Sequence, residues 1–239
     1  MVKPQQTASA IIFGVFLTLL APFIALQLDH LRYHWRLASN DVVGGKAMVV
    51  SAHGLASEVG RDVLAASGNA FDAAIAVHFA LAVVYQQAGN IGGGGFMVVY
   101  LKDQNKTLTI DYREKAPSAA HRDLFLNEEG EYDRKKAQFS LLSAGVPGSV
   151  AGFHHALINY GTLSWQEVIQ PSIELAEKGF LIPHDLANTL ASKRYRERLS
   201  SDPAASKVFY KDDGSLYSAG ELLIQKDLAL TLKQISEQG

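Results

Sequence analysis

An α+β fold is what this sequence predicts. Three observations carry it: a pair of helical patterns over residues 55–84, a two-strand hairpin pattern over 96–112, and helical segments again from Ser149 onward. With 48% hydrophobic residues in 239, the chain can build a sizeable core. Its 22 Lys plus Arg against 24 Asp plus Glu leave a formal net charge of -2, and no long basic run occurs. Nucleic acid is therefore not an expected partner. Cysteine is absent, which excludes thiolate catalysis, thiolate metal sites and disulfides.

The N-terminal run Ala8–Leu26 is apolar except for Ser9, Gly14, Thr18 and Pro22. About 20 apolar residues span a bilayer, whereas a cleaved signal's apolar part takes roughly 7 to 15. The run reads as an export signal or a membrane anchor. It predicts a protein that is periplasmic, extracellular or anchored facing outward, with possible membrane contact through this segment. Asp29–Lys46 reads as a tether, so residues 1–46 form a leader and 47–239 the folded domain. His30 and His34 are four apart, but the glutamate of H-E-x-x-H is missing, and no metal site is expected.

"AMVVSAH", Ala47–His53, is short, Val-rich and bounded by glycines, the pattern of a buried strand. Leu55, Val59 and Val63 then repeat every four residues, predicting a helix with one covered face, with Gly68 as its C-cap candidate. Asn69 is placed to N-cap the next helix, with Asp72 in its first turn. That helix, "AFDAAIAVHFALAVVY", is apolar nearly all round and is expected at the centre of the core, with His78 hydrogen-bonded inside it.

"AGNIGGGG" follows the helix and precedes the strand "FMVVYL". A P-loop requires G-x-x-x-x-G-K-[ST], and a dinucleotide loop follows a strand and opens a helix. The order here is reversed. Glycines permit close backbone approach, so a turn or packing role is expected, with ligand binding through exposed amides as the other reading. "KDQNK" supplies a turn and "TLTIDY" the second strand. Arg113 emerges at its end. It either pairs with Glu114 or Asp111 or offers a planar fork to a carboxylate.

Farther on, Gly148 and Ser149 open a helix toward Tyr160, and Ser149 lacks the G-x-S-x-G context of a nucleophile elbow. Adjacent His154 and His155 point about 100° apart on that helix and do not share a ligand. Ser164 and Glu167 stand in capping-box spacing before a helix that ends at Gly179, with a kink or break expected at Pro171. Charged helix follows from Pro183 to about Leu199. A turn-rich patch at Asp202 and Pro203 and a last helix from about Leu222 complete the chain.

"GNAFDAAIAVHFALAVVYQQAGNIGGGGFMVVY", "IDYREKAP", "GVPGSVAGF" and "YGTLSWQEVIQPSIELAEKGF" resemble, in order and spacing, the large-subunit part of the γ-glutamyltransferases, also called γ-glutamyltranspeptidases or glutathione hydrolases. The resemblance runs from about Ala47 to the C-terminus. It implies an N-terminal nucleophile hydrolase with an αββα sandwich, made as a precursor that cleaves itself into a large and a small subunit. It further implies glutathione and other γ-glutamyl compounds as substrates, passed by way of a threonine to water, amino acids or peptides, with no cofactor. Threonine needs its own freed α-amine as base, so cleavage precedes catalysis. Arg113, in Arg113-Glu114-Lys115-Ala116-Pro117, matches the arginine that holds the substrate α-carboxylate. The nucleophile opens the small subunit, so by this resemblance no catalytic residue is expected before Gly239. Thr107, Thr109, Thr162, Thr189 and Thr231 are ordinary threonines by position. Two classes stand: a partial γ-glutamyl-transferring enzyme, inactive alone, or a tethered or secreted relic binding an amino-acid carboxylate or a protein partner.

Overall fold

In the computed structural model of the chain, residues 44–238 are described. The apolar run Ala8–Leu26 and the His30/His34 pair lie outside them. Among the described residues no helix is long and apolar enough to cross a membrane. Val49–Gly239 form one compact unit.

The expected strand at Ala47–His53 is not formed. Met48 and Val50 are exposed, and no described strand lies alongside to complete a ladder. An apolar run without a hydrogen-bonding neighbour stays extended chain. It leads into helix α1, Gly54–Ala65, whose N-cap is His53: the ring Nδ1 accepts from Leu55 N at 3.2 Å. The end of α1 corrects a second expectation, because the residue in left-handed conformation is Ser67 (φ 75°), not Gly68. Ser67 N donates to Leu64 O and Gly68 N to Val63 O, the two closing bonds of a Schellman turn.

Helix α2, Ala70–Val84, is buried on nearly every side, as its all-round apolar sequence requires. Asn69 and Asp72 close a capping box at its start. Strands β1, Phe96–Leu101, and β2, Lys106–Asp111, form the expected antiparallel hairpin, Phe96 opposite Asp111 and Leu101 opposite Lys106. A 3-10 turn at Lys102–Gln104 and a left-handed Asn105 connect them. Met97, Val99 and Leu101 turn toward the core, while Phe96, Val98 and Tyr100 face outward.

After a short helix α3, Arg134–Phe139, come α4, Ser149–Tyr160, and α5, Trp165–Lys178. The break expected at Pro171 does not occur, and α5 is one helix. Val168, Ile169, Ile173 and Ala176 are buried on both sides of the proline, so packing holds the turn. The carbonyl that loses its donor belongs to Glu167, an exposed residue. Phe79 of α2 meets Phe153 of α4 and Trp165 of α5 edge-on, at 5.8 and 5.5 Å between ring centres. These contacts centre the core.

Strand β3, Phe180–Leu181, precedes α6, His184–Ala191, and α7, Lys193–Ser200. The region expected as turns at Asp202 and Pro203 is instead the start of a helix, α8, Pro203–Phe209. The Asp202 carboxylate accepts from Ala204 N and Ala205 N, with proline in the first turn where its missing N–H costs nothing. Leu222 and Leu223 do not begin the last helix. They form β4, antiparallel to β3, and α9 starts at Lys226 and runs to Gln238. Trp165 Nε1 and Gln166 Nε2 donate to the Ile235 and Ser236 carbonyls, tying α9 to α5.

Candidate functional site

Beyond Asp111 the chain leaves β2 as Tyr112-Arg113-Glu114-Lys115. Extended backbone sends alternate side chains to opposite sides. Tyr112 goes inward, its ring edge-on to Phe153 at 5.3 Å, and its Cβ would stand 2.4 Å from a Cβ on Gly152. Asp111, Arg113 and Lys115 line an open cleft of about 490 Å³, walled opposite by Val146, Pro147 and Gly148 and by His155 of α4. A two-bond bridge fixes the segment: Lys115 N donates to Val146 O at 3.2 Å and Val146 N to Lys115 O at 2.8 Å.

The glycine run braces this segment from behind. A side chain on Gly94 would meet Tyr112 O at 2.6 Å and Glu114 N at 2.8 Å. Gly93 O accepts from Gly148 N at 2.9 Å and from Ser149 N at 3.0 Å. The positive end of α4 does point at the glycines, from farther along the chain, and the Gly93 carbonyl occupies it. Packing and capping thus account for Gly93 and Gly94.

Arg113 stands where the hairpin ends. Its backbone N donates to Asp111 Oδ1 at 3.0 Å, its Nε donates to Glu114 Oε2 at 3.2 Å, and its guanidinium lies 5.7 Å from the centre of the Phe96 ring. The side chain is 62% exposed. Among the described residues no carboxylate other than Glu114 pairs with the guanidinium, so its two terminal nitrogens keep hydrogen-bonding capacity for a ligand. The Glu114 carboxyl is held below its usual range first by its own backbone N–H, which outweighs the opposing desolvation, with Arg113 and then the Gly94 N–H adding smaller pulls in the same direction.

Two further polar residues support the frame. Desolvation by itself pushes the Asp72 carboxyl up, but hydrogen bonds from Thr162 Oγ1 and from the Asn69, Thr162 and Leu163 amides outweigh it and hold the group below its usual range. This buried carboxylate links the start of α2 to the turn between α4 and α5. His78 Nε2 donates to Asn90 O at 3.2 Å and its ring lies 4.3 Å from Phe153, so burial pushes its pKa down. It holds the glycine run in place from α2.

His154 and His155 diverge as their spacing requires: His154 sits edge-on to Trp165, and His155 lines the cleft. Among the described residues no group of three or more metal-ligating side chains gathers. Ser149 is buried, and its hydroxyl has no partner among the described residues. Thr162 and Thr231 bond to Asp72 and to Asp227 O. Sequence reasoning missed Tyr112, Lys115 and His155 as neighbours of Arg113. The alternation Asp111, Arg113, Lys115 was a usable signal for one of them, and the i, i+4 glycines of "GSVAG" for the close seat of another.

A family model described as Gamma-glutamyltranspeptidase matches residues 56–239. The glutathione hydrolase proenzyme of Escherichia coli (strain K12) is 44% identical over 194 residues, covering 81% of this chain and 33% of that protein. That of Bacillus subtilis (strain 168) is 46% identical over 198 residues, covering 82% and 33%. The chain spans about a third of the length of these curated relatives. The crystal structure of Helicobacter pylori γ-glutamyltranspeptidase superposes with a TM-score of 0.79 at 44% identity, over 83% of this chain and 56% of that one. The transpeptidase CapD of Bacillus anthracis gives a TM-score of 0.65 at 39% identity, over 82% and 59%. With the family model, the sequence identity and the superposed structures in agreement, the chain carries part of the N-terminal nucleophile hydrolase αββα fold and belongs to the γ-glutamyltranspeptidase family.

Proposed function

We propose that this chain is the N-terminal part of a γ-glutamyl-transferring proenzyme acting on glutathione and related γ-glutamyl compounds, and that Arg113 holds the substrate's α-carboxylate. The observation that carries the reading is the arginine itself: braced by glycines, half used by Glu114, and open to a cleft. A carboxylate placed on the two terminal nitrogens would take parallel charge-assisted hydrogen bonds. That interaction would fix the γ-carbonyl relative to the nucleophile, which is worth rate only if the geometry is held.

In this reading the threonine hydroxyl comes from the small subunit. Its oxygen bonds to the γ-carbonyl carbon, the amide C–N bond breaks, and the hydroxyl proton leaves through the α-amine to the departing amine. Water or an amino group then takes the γ-glutamyl group from the ester. The apolar run Ala8–Leu26 supports an exported or outward-anchored location.

A chromogenic γ-glutamyl anilide tests the proposal. The purified 239-residue chain should not turn it over, whereas a precursor carrying the chain and a small-subunit half should cleave itself and release the chromophore. In that precursor Arg113→Lys should leave self-cleavage intact and lower kcat/KM roughly ten- to a hundredfold, because the charge survives and the planar fork does not. Unchanged kcat/KM with a lowered melting temperature would make Arg113 a structural partner of Glu114 only.

A further inference from the structure

Arg113 shares its cleft with a second cation. Lys115 lies two residues on along extended chain, roughly 7 Å away between α-carbons. Its backbone is clamped on both sides of the peptide by Val146, so the side chain's root is fixed while its four-carbon stem is free to reach. Among the described residues its ammonium has no ion-pair partner. Of the nearby acids, Glu114 pairs with Arg113 Nε and is not part of the cleft lining, whereas Asp111 lines the cleft with its Oδ1 accepting from Arg113 N, so the lining carries two cations against one carboxylate. The remaining titratable groups on the cleft wall, His155 and the Tyr112 phenol, whose pKa burial pushes up, add no negative charge.

Glutathione retains two carboxylates, one on the γ-glutamyl residue and one at the glycine end. They stand at opposite ends of a three-residue chain, too far apart for a single guanidinium fork. The planar fork of Arg113 suits the inner carboxylate, whose orientation matters for chemistry. A flexible point charge suits the outer one, which only has to be attracted.

We propose that Lys115 is a specificity-determining residue of the Arg113 cleft, favouring γ-glutamyl donors whose leaving group carries its own carboxylate. The proposal rests on the γ-glutamyl reading of Arg113 above. The leaving amine of glutathione is a dipeptide that bears the outer carboxylate, so Lys115 selects the donor by the part that departs.

Two chromogenic donors isolate the effect: γ-glutamyl-4-nitroanilide, whose leaving group is uncharged, and γ-glutamyl-3-carboxy-4-nitroanilide. The readout is the ratio of their kcat/KM values in the self-cleaved precursor. Lys115→Gln should lower the carboxylated-to-uncharged ratio about three- to tenfold, the range of a solvent-accessible ion pair that gains from a concave wall. Lys115→Arg should keep the ratio, and raising the salt concentration should shrink the wild-type preference while leaving the Lys115→Gln ratio flat. A ratio unmoved by Lys115→Gln, whatever happens to both donors together, would overturn the role of Lys115 alone. Failure of the wild-type precursor to turn over either donor would overturn the γ-glutamyl reading and this proposal with it.

Discussion

Gly94 decides how near the glycine run can lie to the arginine segment. Its φ is not in the left-handed region, so its constraint is space and not dihedral freedom. The atoms a methyl group would meet are the backbone of Tyr112, Arg113 and Glu114, none of which can swing aside as a flexible side chain would. Gly94→Ala should therefore lower stability by about 1–3 kcal/mol, as overpacking does, and should reduce precursor self-cleavage before it alters substrate affinity. A melting curve and a processing assay on the same variant would show this. Normal processing with weakened affinity would place Gly94 in the ligand site instead. Asp72 shows how much a residue's surroundings conceal. Its position predicted a first-turn acid near a helix dipole, and the capping box bears that out. Its bonds to Thr162 and Leu163, ninety residues away, leave no periodicity to read.

His53 caps α1 with a ring nitrogen that accepts from Leu55 N, a task a protonated imidazole cannot perform. Burial pushes its pKa down, with Asp185 of α6 and Glu58 of α1 pulling the other way, and the Phe180 ring lies edge-on at 6.2 Å. Because the folded-state pKa is depressed, the unfolded chain binds the proton first. This contribution to stability is present above pH about 6.5 and is lost as pH falls through the window below it. The melting temperature should drop between pH 7 and 5.5, and His53→Asn, which caps without titrating, should flatten that slope. An unchanged slope would assign the acid sensitivity to another group such as His78, which is shifted the same way. Elements held by local chemistry were legible from sequence: the Asn69–Asp72 and Ser164–Glu167 caps, the Gly179 stop and the hairpin. Those that depend on a distant partner were not. The segment at 47–53 lacks a neighbouring strand, Leu222–Leu223 acquires one in Phe180–Leu181, and α5 survives its proline through packing. For the same reason Arg113 could be singled out by its motif, whereas the cleft around it needed residues 146–155 folded back against β2.

At the scale of the whole molecule, the outward face of β1 presents Phe96, Val98 and Tyr100 at 63, 72 and 59% exposure, and Phe139 and Leu141 are exposed as well. Apolar surface of this kind on a sheet marks a contact face or an aggregation hazard. The 239-residue chain expressed alone should bind a hydrophobic dye and self-associate, and Val98→Lys should reduce the dye signal without lowering the melting temperature. A monodisperse chain with no dye binding would show that this face is not sticky in solution. Helices legible in the sequence give this molecule its core, yet the core says little about the cleft, whose character depends on a count. Asp111, Tyr112, Arg113 and Lys115 all border the cleft while Glu114 does not, and the paired bonds between Lys115 and Val146 act as an indexing pin for that register. One residue gained or lost between the end of β2 and the pin would bring Glu114 to the cleft in place of a cation. The cleft would exchange a positive charge for a negative one, so a deletion is a graver lesion in these five positions than most substitutions.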